Sequence, residues 1–317
     1  MNLKETDERL LSYIYHNNRE PLTKIAKACK LTREQVEYKL NKYISTGLIK
    51  KFVTLFNYSA LSYSSFVTLF IKFERSKDID TFYHKKERDP HCISKGNAYG
   101  KYDIYLNLIF KDENELQDYI FKLINGKESI IDYLIIRPHY AELYPLKMLN
   151  NQKIETYLIF HSSEKQKLDN KEIEILKLIE NDGRTKLIDI AKKANISGEL
   201  ALYKLKQLYK KKIIIGQRIQ FNMERLGYYF SLLLINLKNL SKENQIKIQR
   251  FCHRSQYINS LIFSLMKPNC IIQVFHKAES ELRKTIEDLK ELLKNESIDL
   301  EILFINDEDK INTLPFL

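Results

Sequence analysis

The sequence predicts an α+β fold made of two copies of one unit, and two observations support this prediction. The first is an internal repeat: when the 317-residue chain is shifted by 165 positions, residues 3–63 align with residues 168–228 without a gap. The second is the order of segments. In each copy three helical segments and a β-rich segment precede the order strand, helix, strand, strand, helix, strand.

The repeat carries identical residues at matched positions. They include Leu11/Leu176, Ile14/Ile179, Arg19/Arg184, Ile25-Ala26-Lys27/Ile190-Ala191-Lys192, Tyr38-Lys39-Leu40/Tyr203-Lys204-Leu205 and Asn57/Asn222. An ungapped match of this length indicates one structural unit used twice. The chain is also about twice the length of a typical domain, as two copies require.

Three short helices open each copy. In the first copy residues 6–17 form a helix that ends near residues 17–20, and Pro21 opens a second helix. A third helix begins after Thr32, an N-cap that Gln35 completes as a capping box, whereas Ser197 caps the matching helix without the box. This order predicts a helix-turn-helix whose third helix is the recognition helix.

The recognition helices have one apolar and one polar face. The apolar faces carry Val36, Leu40 and Tyr43 in copy one and Ala201, Leu205 and Leu208 in copy two. Either helix alone would also suit an ordinary surface helix, but the neighbouring helices favour DNA binding. The residues predicted to contact DNA are Thr32, Arg33, Gln35, Tyr38, Lys39 and Lys42, with Ser197, Tyr203, Lys204, Lys206 and Gln207.

Lysines cluster where each recognition helix meets the β-rich segment that follows. These are Lys50 and Lys51 in copy one and Lys210, Lys211 and Lys212 in copy two. Solvated lysines are common at helix ends, but beside a recognition helix they are predicted to contact phosphates. The β-rich segments, residues 48–56 and 213–221, are predicted to form a small hairpin, which would make each unit a winged helix-turn-helix.

The second part of each copy predicts a ferredoxin-like, βαββαβ domain. In copy one the strands are predicted at 65–73, 91–98, 102–110 and 129–137, with helices at 77–88 and 112–125. In copy two the same order covers residues 228–305. One face of such a sheet lacks helices, so we expect the two sheets to cover each other within one chain.

Composition narrows the class of protein. The net charge of +11 favours a polyanionic partner, although lysine-rich genomes produce such charges without function. Four scattered cysteines without a C-x-x-C pair favour free thiols in a cytoplasmic protein. The sequence has no long apolar run and opens with no signal peptide. The seven histidines show no metal-ligand or catalytic spacing, so we expect no metal, no cofactor and no enzymatic activity.

Both copies resemble the Lrp/AsnC, or feast/famine, transcription regulators. The shared marks are Thr6-Asp7, Leu10-Leu11, Arg19, Ile25-Ala26-Lys27, Thr32, Lys39, Leu48-Ile49-Lys50, Asn57, Gly100-Lys101-Tyr102-Asp103 and Leu226-Gly227-Tyr228. The resemblance implies winged helices at 1–60 and 168–225, ferredoxin-like effector domains at 61–145 and 226–317, and a linker at 146–167, within which residues 157–160 could add an edge strand. Family members usually have one copy per chain, so the fusion implies an intramolecular pseudo-dimer that binds double-stranded DNA, with further self-association left open.

The resemblance also implies an effector site, and two alternative functions remain open, one of them because of the basic charge. Small effectors such as amino acids would bind near the Gly-x-x-Asp turn, at Gly100, Tyr102 and Asp103, although a plain hairpin turn explains these residues equally well. Copy two reads Met266-Lys267-Pro268-Asn269 there and lacks the carboxylate. The alternatives are an architectural DNA-binding protein of weak sequence preference and an enzyme like the sirohaem decarboxylases, which share this two-domain plan.

Overall fold

The computed structural model describes residues 3–126, 129–149, 156–158 and 164–317. Copy one contains α1 (Glu5–Asn17), α2 (Leu22–Cys29), α3 (Arg33–Ser45), β1 (Ile49–Phe56), β2 (Ser65–Phe73), α4 (Ser76–Lys85), β3 (Cys92–Tyr99), β4 (Ile104–Phe110), α5 (Glu113–Ile124), β5 (Ile130–Ile136), β6 (Pro138–Leu143) and β7 (Tyr157–Leu158). Copy two contains α6 (Asn170–Asn181), α7 (Leu187–Lys193), α8 (Gly198–Lys210), β8 (Ile214–Phe221), β9 (Tyr229–Leu237), α9 (Lys242–Arg254), β10 (Ile258–Ser264), β11 (Cys270–His276), α10 (Glu279–Leu292) and β12 (Ile298–Glu308). The predicted α+β order is confirmed.

The predicted wing hairpins are wrong. Each helix-turn-helix is followed by one strand, and the two strands pair with each other across the copies, β1 antiparallel to β8. Each strand also completes the core of the other copy's helices: Ile219 and Phe221 pack among α1, α2 and α3, and Phe56 packs among α6, α7 and α8. The apolar side chains of a lone strand need cover, and here the other copy provides it.

The β1–β8 ribbon has a pseudo-two-fold axis at its centre. Val53 lies opposite Arg218, which is the position 165 residues further along the chain. Two hydrogen bonds related by the same shift close the ribbon: Asn57 N donates to Ile213 O at 2.9 Å, and Asn222 N donates to Leu48 O at 2.8 Å. The identity at Asn57 and Asn222 therefore marks the two ends of one symmetric structure.

The remaining strands form one ten-stranded sheet in the order β5-β2-β4-β3-β12-β9-β11-β10-β6-β7. Near the end of each copy, one strand pairs with a strand of the other copy. β12 pairs with β9 along its first part and with β3 near its end, while β5 pairs with β2 and the following β6 pairs with β10. Because β5 and β6 are separated only by Arg137, the sheet folds back on itself and its two halves face each other.

The helix-free faces of the two halves share one core. Phe70, Tyr105 and Ile136 of copy one pack with Leu232, Leu234, Ile271 and Leu303 of copy two. The rings of Tyr105 and Phe230 meet edge to face at a centroid distance of 6.4 Å. The sheets thus cover each other within one chain, as their bare faces predict, but they are also joined by continuous strand pairing.

The segment predicted as a linker is partly structured. Leu146 and Leu149, at its start, are buried in the core of the first helix-turn-helix. Within the predicted edge strand, Tyr157 and Leu158 form β7 and pair with β6, whereas residues 159 and 160 lie outside the described residues.

Candidate nucleic-acid interface

The two recognition helices, α3 and α8, expose the same aromatic residue at the same position. Tyr38 on α3 is 68% exposed and Tyr203 on α8 is 59% exposed. Val36, Leu40 and Tyr43 hold α3 on the core, and Ala201 and Leu208 hold α8. Helical spacing therefore directs both tyrosines to solvent on the faces opposite the core.

Cations surround these tyrosines but differ between the copies. In α3 the exposed cations are Arg33 and Lys42; at and after the end of α8 they are Lys206, Lys210 and Lys212. The repeat sets Asn41 against Lys206 and Lys42 against Gln207. Two surfaces with the same central residue and different charged neighbours suit two related but non-identical anionic targets.

Several predicted contact residues form hydrogen bonds or ion pairs within the protein that stabilise the recognition helices. The Thr32 side chain accepts from Gln35 N and Gln35 Oε1 accepts from Thr32 N, so both complete the predicted capping box. Ser197 Oγ caps Leu200 N at 3.2 Å. Lys39 Nζ lies 2.5 Å from Asp7 Oδ1, and Lys204 pairs with Asp169. The two ion pairs hold the recognition helices against α1 and the start of α6.

The structure does not bring the Lys50, Lys51 and Lys211 ammonium groups to the recognition face. Lys50 Nζ donates to the Glu308 carbonyl at 2.5 Å, and Lys51 Nζ contacts Glu180 Oε1 and the Ile311 carbonyl. Lys211 pairs with Glu172 at 2.9 Å. Sequence alone placed all three at a helix end, but their partners lie more than 30 residues away, where local patterns give no information.

Hydrogen bonds between the two helix-turn-helix units were not predicted from the sequence. Arg19 of copy one donates from its two terminal nitrogens to the carbonyls of Gly183 at 2.7 Å and Thr185 at 3.0 Å. Gly183 N in turn donates to Phe52 O, and a Cβ at Gly183 would lie 2.8 Å from that oxygen. The identity of Arg19 and Arg184 was the available signal, although in the structure Arg184 instead lies over the Phe52 ring.

Comparison with known proteins identifies relatives of this chain. No family model matches the chain. The HTH-type transcriptional regulator LrpA of Pyrococcus horikoshii is 30% identical over 97 residues, which are 31% of this chain and 67% of LrpA. The chain belongs to the Lrp/AsnC family of transcriptional regulators. The HTH-type transcriptional regulator FL11 of the same organism is 22% identical over 139 residues, 43% of this chain and 91% of FL11.

A solved structure matches the chain over its full length. The siroheme decarboxylase NirDL aligns with 99% of this chain and 96% of its own at a TM-score of 0.65 and 14% identity. The likeness shows a shared fold that extends over both copies of this chain. It also overturns our expectation that the sequence excludes an enzyme, because an enzyme has the same whole-chain architecture.

The family's effector turn has structural partners in this chain. Both carboxylate oxygens of Asp103 are bonded, one to Lys72 Nζ at 2.6 Å and one to Phe73 N at 2.8 Å. Tyr102 is buried in the shared core, and Gly100, at φ +135°, approaches Ile302 O of copy two. In copy two Asn269 Oδ1 accepts a hydrogen bond from Leu237 N on the neighbouring strand at 2.9 Å. We therefore propose no effector site at this turn.

In the part of the chain that the structure describes, few other side chains are arranged for metal binding or for nucleophilic chemistry. No group of three or more His, Cys, Asp or Glu residues there could hold a metal ion. The four cysteines are free and buried, and burial raises the pKa of the Cys252 and Cys270 thiols. Among the described helices, none has the length and apolar character needed to cross a membrane.

Proposed function

We propose that the chain is a sequence-specific DNA-binding transcription regulator in which one chain takes the place of a dimer. The observation that carries the proposal is the matched exposure of Tyr38 and Tyr203 on two recognition helices related by the axis at Val53 and Arg218. Helix-turn-helix dimers place their two-fold axis on that of the operator and insert one recognition helix per half-site.

The fusion has a consequence for the target. In a homodimer identical helices require identical half-sites, whereas α3 and α8 differ at most exposed positions. Leu200 and Leu202 of α8, both 40% exposed, replace Gln35 and Glu37 of α3 and could contact thymine methyl groups. We expect an operator of two different half-sites. Because the two units are tethered, binding of the second half-site occurs at high effective concentration.

The test uses the cations beside the tyrosines. Replacing Lys42 and Lys206 together with alanine should weaken DNA binding and make its salt dependence less steep. Each lost phosphate contact reduces the slope of log K against log salt by about one. Fluorescence anisotropy over a range of salt concentrations gives this slope.

Lys284→Ala serves as the matched control, because this exposed lysine lies on α10, away from both recognition helices. Its slope should equal that of the unmodified protein. If the slope of the Lys42/Lys206 variant is unchanged, neither side chain contacts phosphate and the proposed surface is wrong.

The whole-chain likeness to NirDL favours an enzyme of tetrapyrrole carboxylates as a second candidate. The cavity between the β1–β8 ribbon and the ten-stranded sheet is about 170 Å³, and two carboxylates, Glu142 and Glu308, share its wall with the single guanidinium of Arg218. The size and acidity of this cavity do not fit a macrocycle bearing many carboxylates, so the cavity itself does not support the enzyme. Titration with sirohaem, followed by absorption, separates the two: a stoichiometric spectral shift would favour the enzyme.

A further inference from the structure

The cavity between the β1–β8 ribbon and the sheet lies at the pseudo-two-fold axis. Much of its wall is apolar, with Leu55, Ile93, Ile219 and Phe275 among the lining residues. An engineered apolar cavity of about 150 Å³ holds one benzene molecule, so a volume of about 170 Å³ accommodates a compact organic molecule.

Arg218 places an unpartnered cation in this wall. Its Nε is buried without a hydrogen-bond partner, and within the described ranges the side chain forms no ion pair at 4.0 Å or less. The equivalent residue of copy one is Val53, so the charge breaks the symmetry of the ribbon. A buried donor without a partner is costly, which favours occupation of the cavity by an acceptor.

Two hydroxyl groups of the same wall are also free to donate. Thr313 Oγ1 is buried without a partner. Tyr58 is buried, and burial raises the pKa of its phenol, while the nearby positive charge of Arg218 opposes the rise. Both side chains line the cavity with Arg218. Arg218, Tyr58 and Thr313 therefore all lie in the cavity wall and can offer donors to an anion bound there.

The two acids of the cavity are already bonded to other side chains. Glu308 accepts from the Tyr105 hydroxyl at 2.9 Å, and burial raises the pKa of its carboxyl, which favours the neutral form. Glu142 accepts from the hydroxyls of Tyr140 at 2.7 Å and Tyr144 at 2.8 Å and contacts His253 Nε2 at 3.1 Å. Glu308 is near enough for Arg218 to oppose the rise of its pKa, yet the two form no ion pair.

We propose that this cavity binds one small monocarboxylate with a compact apolar body, its carboxylate on the Arg218 guanidinium and its body among the apolar side chains. A guanidinium binds a carboxylate through two parallel hydrogen bonds, and the apolar wall adds the burial of the ligand's hydrocarbon part. The proposal concerns binding to the protein alone and does not depend on DNA binding.

The experiment is calorimetric titration of the full chain with benzoate, in the absence of DNA. We expect one site per chain, at least about tenfold weaker binding of the neutral analogue benzamide, and at least about tenfold weaker binding of benzoate to Arg218→Gln. Arg218→Val, which installs the residue of the symmetric position, should have the same effect. Arg33→Gln, which removes an exposed guanidinium from α3, is the matched control and should bind benzoate normally.

The proposal is overturned if benzoate shows no saturable binding at millimolar concentration, or if it binds Arg218→Gln as tightly as the unmodified chain. If both Arg218 variants lose the circular dichroism spectrum of the folded protein, the comparison of benzoate with benzamide on the unmodified chain decides. Equal affinity for these two ligands would contradict a charged anchor. None of these results depends on whether the protein binds DNA.

Discussion

Replacing Tyr38 and Tyr203 together with alanine is expected to lower DNA affinity by about 1,000-fold or more. Truncating one central aromatic anchor of an interface commonly costs about 2 kcal/mol or more, and the losses at two separate sites approximately add. Both side chains are exposed, at 68% and 59%, so their removal should leave the fold intact. Equilibrium binding to an operator-length duplex measures the effect, and each single variant should show about half of the free-energy loss.

Tyr229 provides the matched control for this double substitution. It is a tyrosine with 65% exposure, but it lies on β9 of the ten-stranded sheet, away from α3 and α8. Tyr229→Ala should therefore bind DNA with unchanged affinity. If the double variant binds like the unmodified chain, or if Tyr229→Ala loses as much affinity, the recognition helices do not form the contact surface.

The substitution Phe70→Ala is expected to destabilise both halves of the chain together, by about 3–5 kcal/mol. Phe70 is fully buried in the core that the two sheets share, with the Tyr102 ring at a centroid distance of 5.7 Å. Because residues of both copies line this core, the cavity left by the substitution weakens their association as well as copy one itself. Urea unfolding should show one transition with a lowered midpoint.

Phe121→Ala is the control for the loss of a phenyl ring. Phe121 is 53% exposed on α5, and its truncation should change the free energy of unfolding by less than about 0.5 kcal/mol. Two separate transitions, of which only one shifts in Phe70→Ala, would show that the halves unfold independently and that the shared core does not couple them.

The sequence predicted the elements well because their signals are local. The richness of 65–73 in Phe, Val and Ile predicted β2 to the residue, and the boundaries of the other predicted βαββαβ strands fell within about three residues, whereas β6 was not predicted. The partner of a strand is not a local property. Residues 48–56 are equally suited to a hairpin within their own copy and to the observed pairing with β8, and only the fold of the whole chain decides between them.

The candidate site shows the same difference between local features, which the sequence predicts, and long-range contacts, which it does not. Helical spacing was sufficient to identify Tyr38 and Tyr203 as exposed. It could not show that Lys39 meets Asp7, 32 residues earlier, or that Lys51 meets Glu180, 129 residues later. Arg218 was detectable in principle, since the repeat sets it against Val53, and a charge that replaces a buried aliphatic residue indicates a site specific to one copy.

The shared architecture with NirDL limits what the fold alone can show. This fold serves an enzyme there, and related single units are transcriptional regulators. We expect variants in the exposed faces of α3 and α8, and in the cavity at the axis, to distinguish the candidate functions of this chain.

The measurement that tests the central claim most directly is selection of bound sequences from random duplex DNA, with the stoichiometry of the selected complex determined by light scattering. One 37.8 kDa chain per site, on two different half-sites about one helical turn apart, is the result that an intramolecular pseudo-dimer predicts. Recovery without sequence enrichment would indicate an architectural protein. A perfect palindrome bound by two chains would contradict the account, because each chain would then supply only one recognition helix.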